Sequence, residues 1–289
     1  MGKRAIRAVD GGGGVGPLDR WEGFGARVWT ARRQHSVPLD YLAAQVYVTS
    51  EMLQEIESGA LDPGRRVAQD LDRVLNCGGQ LWDVWASAHL ATLLQGRVTI
   101  TDVLPEALQV RAYAPLVLPD PYLTDSYAAA LHRLEAPMNL PLSTDALVET
   151  SGRLHPTGST TSHCLVVDET ALIRHLAPAE TLRAQLLHLH HLAQHDHVTV
   201  HLIPATTGPH PGLRGAFWTL CYSPARTLVY TPHPCGTGHF HRESATVKAY
   251  TDLYSTLQGV ALPAEDSLHR IAELAARLTP SPRQALTGH

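Results

Sequence analysis

The stretch VPLDYLAAQVYVTSEMLQEIESG, residues 37–59, decides the fold of the N-terminal third of the chain. Apolar residues recur at helical spacing between 39 and 46, and Pro38 suits the first turn of a helix. Thr49 or Ser50 can cap a second helix, which carries apolar residues at 53 and 56 and ends at Gly59. The stretch therefore predicts two short helices joined by a tight corner.

Similar short helices flank this pair on both sides, from Phe24 to about Ala86. One helix with Val28 on its apolar face precedes the pair, and turn signals at 62–64 and 78–79 separate two further helices after it. The pattern predicts an all-α domain of five helices over residues 21–86. The segment before it is rich in glycine and has almost nothing to bury, which predicts a flexible leader over residues 1–20.

This order of helices resembles the helix-turn-helix domain of the Cro/repressor-like (XRE) class, a family of DNA-binding regulators. The residues that carry the resemblance are Leu42-Ala43, Val46, Val48 and the ending Ile56-Glu57-x-Gly59. An ordinary helical bundle is the alternative. The resemblance implies binding to a double-stranded DNA operator, and it implies a homodimer because one such module contacts one half-site.

The candidate DNA-binding residues lie in and around the second helix of the pair. Those expected to face the groove are Thr49, Ser50, Glu51 and Gln54, and those expected to contact phosphates are Arg32, Arg33, Arg65 and Arg66. The charge of the domain opposes DNA binding, because residues 21–86 hold six arginines against nine carboxylates, a net charge of −3. A protein-binding use of the same bundle is therefore a second hypothesis.

The rest of the chain has a mixed pattern of helices and strands. Residues 87–105 are expected to form a helical linker. Apolar runs at 110–113, 116–118 and 164–167 and the segments at 197–203, 217–222 and 227–230 are typical of strands, while 179–195, 247–257 and 264–278 have helical periodicity. The fold class is therefore predicted as α+β: an all-α N-terminal domain, a mixed C-terminal domain over residues 106–279, and a tail over 280–289.

The C-terminal pattern is similar to the DUF5753 domain, which follows an XRE helix-turn-helix in actinomycete regulators also called Scr1-type antitoxin-like regulators. The resemblance rests on Arg111-Ala112-Tyr113-x-Pro115-Leu116-Val117-x-Pro119, Leu123-Thr124-x-x-Tyr127-Ala128, Val167-Asp168-Glu169-x-Ala171-Leu172, a helix at 182–189, Val198-Thr199-Val200-x-x-Ile203-Pro204 and His210-Pro211-Gly212-Leu213-x-Gly215-x-Phe217. It implies a transcription regulator whose C-terminal domain senses a ligand or a small acidic DUF397-type partner protein. It implies no catalytic residues, so we expect neither enzyme activity nor a cofactor.

The cellular location follows from the same composition. Four cysteines lie far apart with no paired spacing, which predicts reduced, buried thiols. No run of apolar residues is long enough to cross a membrane, and the N-terminal residues lack the apolar core of a signal peptide. We therefore expect a cytoplasmic protein without a membrane partner.

A weaker pattern suggests a small-molecule site in the C-terminal domain. Trp218, Tyr222 and Tyr230, together with Phe240, could line an apolar cavity between the sheet and the last helices. Plain core packing explains these rings equally well. The remaining candidate ligand-binding residues are His210, His239 and His241.

The eighteen histidines suggest a metal site, but their spacing argues against one. His188, His191 and His195 share one helix face, which points away from the apolar face and is expected to be solvated. A cluster of Cys235 with His239 and His241 has no second pair of matching spacing. We therefore expect no metal site.

Neither the cysteines nor the acidic pairs indicate catalysis. Cys164 and Cys221 lie in apolar strands, where a thiol is expected to be inert, and Asp168-Glu169 is expected to be a loop cap or polar rim. The alternative to a regulator is a protein that no longer binds DNA and instead serves as an interaction protein, or as a biosynthetic enzyme that uses the His-rich C-terminal domain.

Overall fold

The computed structural model describes residues 21–94, 98–135, 161–233 and 236–278, so the predicted leader and the tail lie outside the described residues. The chain divides into two compact units, residues 1–92 and 93–289. In the described ranges, no helix is long and apolar enough to cross a bilayer.

The first unit consists of short helices, as the spacing of its apolar residues predicts. The helices are α1 (Glu22–Gln34), α2 (Leu39–Gln45), α3 (Ser50–Ser58), α4 (Gly64–Val74) and α5 (Gln80–Leu93). The Thr49 side chain caps α3 by accepting a hydrogen bond from the Met52 amide, and Gly59 ends the helix in a left-handed conformation, with φ at 81°. α5 passes through residue 86, where the sequence predicted a domain boundary, without a break.

Close contacts join α1 to α3 and α4 to the start of α5. A Cβ atom at Gly25 would collide with the carbonyl oxygen of Ile56 and lie 2.6 Å from that of Glu57, so only glycine permits this approach. Asp72 of α4 is buried and accepts backbone hydrogen bonds at the start of α5, from the amides of Gly79 (2.7 Å), Leu81 (2.7 Å) and Trp82 (3.0 Å).

The second unit is built on a six-stranded mixed sheet in the order β3-β2-β1-β4-β5-β6. The strands are β1 (Gln109–Ala114), β2 (Ser162–Asp168), β3 (Val198–Ile203), β4 (Phe217–Ser223), β5 (Arg226–His233) and β6 (Gly236–His241). The helices are α6 (Ile100–Val103), α7 (Asp125–Glu135), α8 (Glu169–Ile173), α9 (Ala179–Leu192), α10 (Ser244–Val260) and α11 (Ala264–Arg277). β1, β2 and β3 are parallel, and the other pairings are antiparallel. The predicted α+β class is confirmed.

One predicted apolar run is not a strand. Leu116 and Val117 follow β1 in an irregular segment, and both side chains are exposed. Pro115 and Pro119 flank the run, and neither can donate to a strand ladder, which explains why β1 stops at Ala114.

α10 packs on one face of the sheet. Alternate residues of neighbouring strands form this core, which contains Tyr113, Val166, Ile203, Phe217, Tyr254 and Leu257. The connection after α10 and the first turn of α11 satisfy backbone groups on the outer edge of β3. The Leu262 amide in the connection donates to the Leu202 carbonyl (2.8 Å), and the Leu202 amide donates to the hydroxyl of Ser267 in α11 (2.9 Å).

Candidate functional site

The outer surface of α3 combines carboxylates with exposed apolar side chains. Glu51, Gln54 and Glu55 are exposed, together with Met52 (41% exposed) and Tyr47 (80% exposed) at the preceding corner. This surface contains the expected groove-facing residues, and α3 itself contributes no cation to it, while Arg66 lies over the Tyr47 ring. It is therefore more acidic and more apolar than a typical surface for reading DNA.

The hydroxyls expected to face the groove already have partners within the unit. Thr49 Oγ1 accepts from the Met52 amide at 3.2 Å, and Ser50 Oγ donates to an Asp40 carboxylate oxygen at 2.6 Å. The pKa of Glu51 is lowered chiefly by its own backbone amide and also by the Thr49 hydroxyl, so this carboxylate remains charged near neutral pH.

Arg32, expected to contact phosphate, is engaged inside the unit instead. Its Nε and Nη2 donate to the two carboxylate oxygens of Glu57 at 2.5 and 2.7 Å, and its Nη1 donates to the Val37 carbonyl at 3.3 Å. The Arg32 and Glu57 side chains are only 11% and 7% exposed. The hydrogen bond with Glu57 raises the pKa of Arg32. Because the close crossing of α1 and α3 buries both groups, this part of the prediction is corrected.

The other three arginines lie over aromatic rings, of which Trp29 and Tyr47 are exposed and Trp82 is buried. Distances from the guanidinium carbon to the ring centroid are 5.4 Å for Arg33 and Trp29, 6.0 Å for Arg65 and Trp82, and 5.7 Å for Arg66 and Tyr47. The Arg66 side chain is 78% exposed. Stacking uses the face of a guanidinium and leaves its N–H edge able to bind an anion, although the Arg66 edge already lies 3.8 Å from an Asp70 carboxylate oxygen.

The predicted aromatic ligand residues belong to the core on the face of the sheet opposite α10. Trp218 packs against Tyr122 with ring centroids 6.3 Å apart, the Tyr222 hydroxyl donates to the Val103 carbonyl at 2.9 Å, and Tyr230 packs against Phe240. Burial raises the pKa of both Tyr222 and Tyr230. The three rings are therefore packed core side chains and do not line a cavity beneath α10.

The three predicted ligand histidines lie on the other face and have separate surroundings. His241 Nε2 lies 3.1 Å from the Thr231 hydroxyl, and its ring stacks on Tyr250. His239 is exposed, 6.3 Å from the ring of His233. Cys235, the proposed third member of their cluster, lies outside the described residues.

His210 belongs to a buried polar triad. Its Nε2 lies 3.3 Å from Asp168 Oδ1, and the Tyr113 hydroxyl donates to Asp168 Oδ2 at 2.5 Å. His210 Nδ1 is buried and has no hydrogen-bond partner among the described residues. Gly212 lies against the Tyr113 ring with no room for a side chain.

Of the two predicted roles for Asp168-Glu169, a loop cap or a polar rim, the rim is wrong because both residues are buried, while Asp168 occupies the N-cap position of α8 without a capping side-chain hydrogen bond. Asp168 belongs to the triad with His210, while Glu169 binds Arg270 at 2.5 Å and accepts from the Ala205 amide at 2.8 Å. The two carboxylates belong to different elements, because Asp168 is the last residue of β2 and Glu169 is the first residue of α8.

A cluster of functional groups around Cys164 was not foreseen. Arg111 is the Cα partner of Cys164 on β1, and His201 lies two residues beyond its partner on β3. Gln258 of α10 places Nε2 3.2 Å from His201 Nε2 and 3.9 Å from Cys164 Sγ. Parallel pairing brings these distant positions together, and the only sequence signal is the alternation of polar residues with apolar ones in each strand.

The ionisation of Cys164 and His201 is coupled. Burial raises the pKa of the Cys164 thiol, but the hydrogen bond with His201, the Tyr254 hydroxyl and the charges of His201 and Arg111 outweigh it, so the pKa is lowered overall. The same hydrogen bond to Cys164 raises the pKa of His201. A lowered pKa favours the thiolate, so it does not support the expectation that Cys164 is inert in an apolar strand.

The histidine-rich end of α9 forms a chain of ring contacts. His195 lies 5.2 Å from His191 and 5.9 Å from His197, measured between ring centroids. Near them, burial and the charge of His197 lower the pKa of His163 to about 4. Across the part of the chain that the structure describes, no group of three or more histidine, cysteine or carboxylate side chains is arranged to hold a metal ion.

Comparison with known proteins identifies only the second unit. No curated protein and no solved structure matches the chain. The profile of one family, described as "Domain of unknown function (DUF5753)", matches residues 99–273, which is more than half of the sequence. This range contains the sheet, the Cys164 cluster and the His210 triad. The chain therefore belongs to the DUF5753 family.

Proposed function

We propose that this protein is a transcription regulator of the XRE type that binds a double-stranded DNA operator through its first unit. The observation that carries the proposal is the pair α2 and α3, which are joined by a short corner while the outer face of α3 is exposed at Glu51, Gln54 and Glu55. In helix-turn-helix regulators, the second helix of such a pair enters the major groove.

The exposed side chains have the hydrogen-bonding groups for base contacts. Gln54 can pair with the edge of an adenine, and Glu51 or Glu55 can accept from the amino group of a cytosine. Arg33, Arg65 and the exposed Arg66 supply the phosphate contacts. Arg32 is left out of this set because Glu57 holds it.

The second unit would sense a small acidic partner protein or a ligand. Leu116, Val117 and Leu213 are exposed, and β1 and β4 pair so that the segments carrying them lie at the same end of the sheet. The exposed Arg214 adds a positive charge beside them. An apolar patch with a cation supports contact with an acidic protein of the DUF397 type. A homodimer would present two copies of α3 to a two-fold operator.

Selection of genomic DNA fragments by the purified full chain tests the DNA-binding proposal. At about 50 mM salt, where phosphate contacts are strongest, the chain should enrich discrete sites. The variant R33Q/R65Q/R66Q should lose this enrichment. The variant R174Q/R226Q/R242Q, which removes three exposed arginines from the second unit, should retain it. Failure of the unmodified chain to enrich any site, or equal enrichment by both triple variants, would reject the proposal.

A second candidate is a protein-binding role for the α3 surface. Tyr41, Tyr47 and Met52 are exposed beside Asp40 and Glu51, and this apolar and acidic mixture also suits a basic protein partner. This role predicts no DNA enrichment, together with weaker binding of the partner by Y47A/M52A. Weaker binding only after L213A/R214E would place the partner on the second unit instead.

A further inference from the structure

We propose that Cys164 is a covalent ligand site, whose thiolate adds to small α,β-unsaturated carboxylates, with Arg111 binding the carboxylate and His201 supplying the proton. The proposal concerns only the second unit and stands whether or not the first unit binds DNA.

The register of three parallel strands places the functional groups on one face of the sheet. Cys164 is the Cα partner of Arg111 on β1 and of Thr199 on β3, and paired residues point to the same face. His201 follows Thr199 by two residues, so its ring returns to this face as a diagonal neighbour of Cys164. The three groups therefore lie on adjacent strands, and their positions are fixed by backbone pairing.

Hydrogen bonds orient the His201 ring toward the thiol. His201 Nδ1 donates to the Leu262 carbonyl at 3.0 Å, which leaves Nε2 as the nitrogen near Cys164 and Gln258. The Tyr254 hydroxyl donates to the Cys164 carbonyl at 2.8 Å and fixes the strand beneath the thiol. When Nε2 takes the thiol proton, the Gln258 amide can turn its oxygen toward the new N–H.

Arg111 is a half-buried cation that has no counter-ion among the residues the structure describes. Its guanidinium carbon lies 5.9 Å from the Tyr254 ring centroid, and within the described ranges it forms no ion pair with a carboxylate. A partly buried guanidinium is stabilised by an anion that binds its N–H edge. Because Arg111 and Cys164 are cross-strand partners, a carboxylate on Arg111 would hold its reactive carbon near Sγ.

The site is open to a small molecule, since α10 covers only part of this face. Towards the beginnings of β1, β2 and β3, the residues on this face are only half-buried, while those on the opposite face are fully buried. The half-buried set is Gln109, Arg111, Ser162, Cys164 and Thr199. Gln258, at the edge of α10, is exposed.

The addition needs no oxidant and no leaving group. The Cys164 thiolate forms an S–C bond to the β-carbon, and the π electrons of the C=C bond move to form an enolate. His201, which received the thiol proton, returns a proton to the α-carbon. The product is a thioether that contains every atom of the thiol and the ligand.

Mass spectrometry of the full chain with monomethyl fumarate and dimethyl fumarate tests this proposal, because only the first probe carries a carboxylate. At pH 7, Cys164 should gain one intact monomethyl fumarate at least about tenfold faster than Cys221, which is also half-buried. The ratio of the addition rates of monomethyl and dimethyl fumarate at Cys164, divided by the same ratio for N-acetylcysteine, should fall about tenfold in R111Q and partly recover in R111K. Arg242→Gln is the matched exposed control.

The His201→Asn variant separates a designed site from an accessible thiol. Its addition rate should fall about tenfold at pH 7, and the rise of the rate with pH should move upward toward that of a free thiol. Circular dichroism checks that each variant is folded. Equal labelling of Cys164 and Cys221 would overturn the proposal, as would an unchanged ester preference in R111Q or an unchanged pH profile in H201N.

Discussion

Replacing Arg32 by Met should destabilise the first unit by about 3 kcal/mol, because removing one partner of a buried ion pair leaves the other charge without compensation. Glu57 is only 7% exposed, and both of its carboxylate oxygens are held by Arg32. The exposed neighbour Arg33 is the matched control, and Arg33→Met should change the free energy of unfolding by less than about 0.5 kcal/mol.

Tryptophan fluorescence during urea unfolding measures this effect mainly in the first unit. Four of the five tryptophans lie there, at positions 21, 29, 82 and 85. A double-mutant cycle with Glu57→Gln isolates the pair, and R32M/E57Q should be more stable than the sum of the single changes predicts, by at least about 1.5 kcal/mol.

A coupling energy below about 0.5 kcal/mol would refute the argument that α1 and α3 are held by a buried ion pair. A loss of DNA enrichment in R32M at a temperature where this variant remains folded would also restore Arg32 as a phosphate contact.

Three further predictions concern the stability of each unit. Because the pKa of His163 is lowered to about 4, the unfolded chain binds a proton between about pH 6.5 and 4 that the folded chain does not bind, so the free energy of unfolding falls as the pH drops through this window. Between pH 7.5 and 4, urea unfolding should therefore show His163→Asn losing about 3 kcal/mol less stability than the unmodified chain. Equal losses would contradict the lowered pKa. Asp72→Ala should destabilise the first unit by about 3 kcal/mol in urea unfolding followed by tryptophan fluorescence, since three backbone amides at the start of α5 lose their acceptor. Asp70→Ala, which removes an exposed ion pair with Arg73, should cost under about 0.5 kcal/mol. Similar costs for the two variants would contradict the role of Asp72 in capping α5. Gly212→Ala should lower the free energy of unfolding of the second unit by about 1–3 kcal/mol in a thermal melt, because its Cβ would lie 2.5 Å from the Tyr113 ring. Gly208→Ala has open space and should leave this free energy unchanged. Tolerance of the first change would show that the turn Pro211–Arg214, which carries Gly212, can move.

Local signals predicted much of the fold. The spacing of Leu42, Val46, Leu53 and Ile56 predicted α2 and α3, because one buried stripe per helix is visible in a short window. A cap at Thr49 or Ser50 was predicted for the same reason, since a capping hydroxyl acts within three residues, and the structure shows that Thr49 is the cap.

The site depends on contacts that local signals do not contain. The sequence left open whether Trp218 and Tyr230 line a cavity under the last helices or pack in the core, because the face that an aromatic strand residue takes depends on the pairing register, which sequence periodicity leaves undetermined. Cys164 and His201 meet only because β2 and β3 are parallel neighbours. The burial of Arg32 depends on the close approach at Gly25, where a missing side chain is the only signal.

The salt dependence of DNA affinity tests the central claim most directly. Fluorescence anisotropy on an enriched genomic site should give a steep rise of Kd with salt for the unmodified chain. Each phosphate contact contributes about 0.9 to the slope of log Kd against log salt, so a dimer of R33Q/R65Q/R66Q should lose about 5 from this slope. An unchanged slope in the triple variant, or no binding by the unmodified chain at about 50 mM salt, would contradict the account.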